Sequence, residues 1–110
     1  MSAIEASYDQ YRDELAGLLK KIDVDLAIKI MHFERKLPDV PPRVELHVRP
    51  KHGTNLSALS YAISSKLGFQ TMVQGHHILV AGRATIDDVF ALSQNPAIEF
   101  IDGTVTIASY

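Results

Sequence analysis

Leu37-Pro38-Asp39-Val40-Pro41-Pro42-Arg43-Val44-Glu45-Leu46-His47-Val48 is the stretch across which the chain changes its hydrophobic period. The prolines at 38, 41 and 42 have no backbone N–H and hold the residues before them out of the helical region, so residues 38–42 read as an extended connection. Beyond them Val44, Leu46 and Val48 alternate with Glu45 and His47, the pattern of a strand with one solvated face. Before them Ile4, Tyr8, Tyr11, Leu15, Leu18 and Ile22 recur in steps of three and four, the seam of an amphipathic helix. The stretch therefore divides a helical segment, residues 1–37, from a mixed domain, residues 43–110.

Moving outward toward the C-terminus, Pro50 to Gly53 ends the first strand, and Thr54 or Asn55 caps a helix whose apolar stripe is Leu56, Leu59, Ala62, Ile63 and Leu67. Gly68 stops that helix. Phe69 to Val73 and His77 to Ala81 read as two strands joined at Gln74-Gly75. Thr85 opens a second helix with Asp87 and Asp88 in its first turn, where the helix dipole favours acids, and Ile86, Val89, Phe90 and Leu92 form its apolar face. Asn95-Pro96 closes it, and Ile98, Phe100 and Ile101 form a last strand before Asp102-Gly103. The predicted order, strand, helix, strand, strand, helix, strand, is a ferredoxin-like α+β arrangement: an antiparallel sheet with both helices on one face, preceded by an N-terminal helical extension.

Toward the N-terminus the pattern is ambiguous. Ile22, Val24, Leu26, Ile28 and Ile30 alternate as a strand would, yet the same residues fit a helix buried on two sides, and Met31 to Leu37 favours helix. The extension is read as helical with a break near Asp23. An unbroken helix from Ala3 to Leu37 would be roughly 50 Å long, against about 25 to 30 Å for a domain of this size. The extension therefore folds back as a hairpin on its own domain or pairs with a second copy, giving a homodimer through the N-terminal helix.

Composition narrows the function. The chain has 110 residues, 11 basic against 13 acidic, and no cysteine. Thiolate metal sites and disulfides are excluded, and no residue run resembles a signal peptide or a membrane span, so the expected location is cytoplasmic, with co-secretion beside a protease as the alternative. No metal or cofactor is expected: His76 and His77 are adjacent and point to opposite faces of a strand, and Pro50 separates His47 from His52. No serine stands in a Gly-x-Ser-x-Gly elbow, so no enzymatic activity is expected. Arg49-Pro50-Lys51-His52-Gly53-Thr54-Asn55 places cations ahead of a helix and reads as a solvated turn with a cap, with anion binding as the rival reading. The first strand carries no aromatic residue and the third only His77, and no basic patch accompanies them, so nucleic-acid binding is not expected.

Three pieces of the C-terminal half carry a resemblance: the strand His77-Ile78-Leu79-Val80-Ala81, the helix opening Ala84-Thr85-Ile86-Asp87-Asp88-Val89, and Ala91-Leu92-Ser93-Gln94-Asn95-Pro96-Ala97-Ile98-Glu99-Phe100-Ile101-Asp102. Together they resemble the inhibitor I9 family, the prodomains of subtilisin-like serine proteases and their free-standing inhibitor relatives. The likeness covers residues 43–110 and is strongest over 77–110. It implies a protease inhibitor that also assists folding of its enzyme, laying its sheet on two protease helices and running its tail through the active-site cleft. On that reading Tyr110 fills the primary specificity pocket, Ser109 and Ala108 line the cleft, and Ile107 enters the apolar pocket beyond them. Asp102 matches the first acid that caps the protease helices, and Thr104 stands where a second acid is common. No protease domain follows in the sequence, and the helical extension has no counterpart in such prodomains. Independently of the resemblance, residues Val105 to Tyr110 read as an extended tail with unpaired backbone groups, suited to strand addition on a partner. The rival reading is a ferredoxin-like regulatory or assembly module acting through protein–protein contacts.

Overall fold

The computed structural model describes residues 3–106. Its elements are α1 (Ala3–Leu19), α2 (Val24–Lys36), β1 (Arg43–Pro50), α3 (Leu56–Leu67), β2 (Gln70–Gln74), β3 (His77–Arg83), α4 (Ile86–Ser93) and β4 (Ile98–Thr106). The protein is α+β, and its four strands form one antiparallel sheet in the order β2-β3-β1-β4.

Local chemistry accounts for most boundaries. The Asn55 side chain accepts the Ala58 N–H at 3.1 Å, which makes Asn55, rather than Thr54, the cap of α3. Gly68 ends that helix in the left-handed region, φ 71°. The β2–β3 hairpin closes on the pair Gln74↔His77, so its two-residue loop is Gly75-His76, one position later than the sequence suggests. At α4 the Thr85 hydroxyl accepts from Asp88 N–H at 3.2 Å while the Asp88 carboxylate accepts from Thr85 N–H at 3.0 Å, a reciprocal capping box.

One face of the sheet is buried along β1 and β3 and over much of β4. Val44, Leu46 and Val48 on β1, Ile78 and Val80 on β3, and Ile98 and Ile101 on β4 join a single core with Leu59 and Ile63 of α3 and Val89 and Leu92 of α4. That core also contains Ile22 and, from α2, Leu26, Ala27 and Ile30, all but inaccessible. Three helices therefore cover this face, where the sequence suggested two. An apolar stripe shows that a helix face is buried without showing against what, and α2 spends its stripe on the domain's own sheet beside β4.

The chain breaks between α1 and α2 at Lys20, whose φ is 36°, and Asp23 then caps α2 by accepting the Leu26 N–H at 3.2 Å. The intervening residues add a short parallel bridge to β4. Asp23 N–H donates to the Ile101 carbonyl at 2.8 Å, and Ile101 N–H donates to the Lys21 carbonyl at 2.7 Å. At its far end α2 is held to α4, because the Glu34 carboxylate accepts the Ile86 N–H at 2.8 Å, one of the unpaired donors of a helix first turn. α1 packs back on α2 with Leu19 buried and Leu15 against the core, and Arg12 pairs with Asp25 at 2.8 Å.

β4 runs past the point where the sequence places its end. Asp102-Gly103 has the composition of a turn, but Gly103 lies within the strand opposite Leu46. A Cβ at position 103 would overlap the Glu45 carbonyl oxygen and come within 2.9 Å of Leu46 Cα. Glycine is required here by a close backbone approach rather than by a turn.

Candidate functional site

Among the described residues, no helix covers the opposite face of the sheet. That face is built from the outward positions of all four strands: Arg43, Glu45, His47 and Arg49 alternate outward along β1, and Phe100, Asp102 and Thr104 do so along β4. The antiparallel register aligns these residues in rows. Met72, Leu79, His47 and Asp102 form one row across the sheet, and Gln70, Ala81, Glu45 and Thr104 form the next. Met72, Leu79 and Ala81 form an apolar patch on β2 and β3, flanked by Gln70, Gln74 and Arg83, and the charges of Glu45, Arg49 and Asp102 lie on β1 and β4. A shallow depression of about 360 Å³ lies at the apolar patch, lined in part by His47, Gln70, Met72 and Leu79. On the charged half the Arg49 guanidinium lies 5.8 Å from the centroid of the Phe100 ring, within cation–π range.

The structure brings together Asp102 and Thr104, the two described residues that sequence reasoning singled out. They lie two apart on β4, so both side chains stand on the uncovered face. Glu45, directly across from Thr104, was missed; it supplies an acid in the row where Thr104 itself has only a hydroxyl. Its signal was present in the alternation of β1, but the pairing of β1 with β4 is not readable from either strand alone. The remaining predicted positions, Ile107, Ala108, Ser109 and Tyr110, lie outside the described residues.

The reading of Val105 to Tyr110 as one unpaired tail is corrected at its start. Val105 pairs with Val44 and Thr106 with Arg43, and Val105 packs partly against the core. Both residues lie in register with β1, because the strand continues through Gly103.

Comparison with family models, with curated proteins and with solved structures finds no match to this chain.

At one end of the sheet the loop after β1 meets the β2–β3 turn. Arg49, Lys51 and His52 from the first, and His76 and His77 from the second, line an open cleft of about 530 Å³ with Glu99. The loop itself is a turn, with Thr54 N–H donating to the Lys51 carbonyl at 3.2 Å and Lys51 N–H to the Ala97 carbonyl at 2.8 Å. Among the described residues no group of three or more His, Asp or Glu side chains is placed to hold a metal ion, and no helix is long and apolar enough to cross a membrane.

Proposed function

We propose that this chain is a proteinaceous inhibitor of a subtilisin-like serine protease, and an aid to that enzyme's folding, which docks its uncovered sheet face on the enzyme and inserts residues 107–110 into the cleft. The observation that carries the reading is the bare face itself, with Asp102, Thr104 and Glu45 grouped on it just upstream of those residues. Carboxylates placed so accept hydrogen bonds from the exposed N–H groups of a helix N-terminus, and the helix dipole favours them there. The order β1-α3-β2-β3-α4-β4, laid out as β2-β3-β1-β4, supports a ferredoxin-like reading of residues 43–106, with α2 as an added third helix. Cytoplasmic residence, or co-secretion with the target protease, belongs to the same proposal.

The four residues proposed for insertion, 107–110, have an extended reach of roughly 13 Å at about 3.3 Å each. That is enough for Tyr110 and Ile107 to occupy two apolar pockets of an extended-peptide cleft while Ala108 and Ser109 pair through their backbones. The test is clean, because a chain ending at Thr106 keeps every β1–β4 pair.

A panel of subtilisin-like proteases is titrated with the full chain and with the chain ending at Thr106. The full chain is expected to inhibit at least one enzyme. Loss of two apolar anchors, each worth about 2 kcal/mol, is expected to weaken inhibition by on the order of 1,000-fold. Full activity of every enzyme beside the intact chain, or equal inhibition by both forms, would end this reading.

A further inference from the structure

β2 is a margin strand. One side of Gln70–Gln74 hydrogen-bonds to β3, and among the described residues no strand pairs with the other side. Exposed edges in natural sheets are commonly blocked by a charge, a proline or a bulge. β2 has none of these: Gln70-Thr71-Met72-Val73-Gln74 is uncharged and proline-free, and its register with β3 is unbroken. The strand is also apolar toward solvent, with Met72 58% exposed and Val73 42% exposed.

The sequence of β2 is close to a palindrome about Met72. Antiparallel pairing of two copies around a two-fold axis at Met72 sets Gln70 opposite Gln74 of the second copy, Thr71 opposite Val73, and Met72 opposite itself. Any charge on such an axis meets its own image, and this strand brings none. Gln70, Met72 and Gln74 share the uncovered face, because Thr71 points to the helix side, where its hydroxyl accepts from Ser60 of α3 at 2.7 Å.

α3 fits the same arrangement. Ser57, Ser60 and Ser64 follow one flank of the helix, and Ser60 shows that this flank is the one over β2. Ala62 and Lys66, on the other flank, face α4 across a cleft. With strands about 4.8 Å apart, an α3 seated over the β2–β3 pair would lie about 10 Å from its symmetry mate, a normal helix packing distance that small serines permit.

We infer that the chain forms a symmetric dimer through β2, joining two four-stranded sheets into one continuous sheet flanked by a pair of α3 helices. The contact is isologous and closes on itself, so it gives a dimer and not a fibre. It leaves β4 and residues 107–110 free, and it stands apart from the protease reading.

Sedimentation velocity of the full chain across the micromolar range is expected to give a species of twice 12.2 kDa. Met72→Lys places like charges at the axis on a side chain that the monomer leaves exposed, and should raise the dissociation constant at least ~10-fold. The chain has no cysteine, so Met72→Cys adds a single thiol. Paired Cα atoms about 4.5 to 5.5 Å apart permit a disulfide, so mild oxidation should crosslink Met72→Cys and not Leu18→Cys on α1. A monomeric full chain at all concentrations overturns the inference. So does a dimer that Met72→Lys leaves intact and Leu18→Lys dissolves, which would place the contact on α1.

Discussion

The two margins of the sheet are treated in opposite ways. β4 is long, and its outer side receives Lys21 to Asp23 as a short added strand, clamped by two backbone hydrogen bonds through Ile101. Behind that bridge α2 places Leu26, Ala27 and Ile30 in the core. β2 is short, has no strand on its outer side among the described residues, and carries exposed apolar side chains. The contrast separates a margin clamped at Ile101 by the chain's own helical segment from a margin left open. An intramolecular cover is always in place, whereas an open margin responds to concentration and partner.

The largest expected effect breaks the closed side. Ile30→Ala removes a fully buried side chain from α2 and is expected to cost about 2 to 5 kcal/mol in a denaturant titration. A loss well under 1 kcal/mol would mean that α2 is an appendage and not part of the core. Asp23→Ala is the intermediate case. It deletes the cap of α2 without touching the apolar contacts, and about 1 kcal/mol is expected in the same measurement. The smallest effect belongs to the open side: Met72→Lys, on the uncovered face, should leave monomer stability within about 0.5 kcal/mol in a thermal or denaturant melt, even where it changes association. A large loss there would show that the β2 margin is covered within the monomer.

The two margins also differ in how legible they were. Around β2 nearly everything is local: the Asn55 cap, the left-handed Gly68 and the two-residue loop begun by Gly75 each follow from residues within a few positions. Around β4 the decisive facts are distant. Gly103 reads as a turn because the reason for a glycine, the approach of Glu45 and Leu46, lies on another strand. Ile22 to Ile30 alternate as a strand would and read as helix only with the residues that follow, because α2 is buried between the sheet on one side and α1 and α4 on others, which blurs a single apolar stripe. The same distance governs the candidate site. Asp102 and Thr104 came only from the resemblance carried by residues 77–110, while Glu45 and the Arg49–Phe100 contact needed the pairing of β1 with β4.

The clamp between α2 and β4 also governs the order in which the molecule is completed on a growing chain. Lys21 Nζ donates to the Asn95 carbonyl at 3.3 Å across a separation of 74 residues, and the Ile101 contacts lie further still. Leu26, Ala27 and Ile30 are made early, yet the surface that hides them is among the last to be made. Until β4 emerges, α2 lacks the strand it packs beside and has α1 as its early neighbour, and contacts of such long sequence separation form slowly. The segment that shields one margin in the finished protein is thus the part most in need of shelter while the protein is being made.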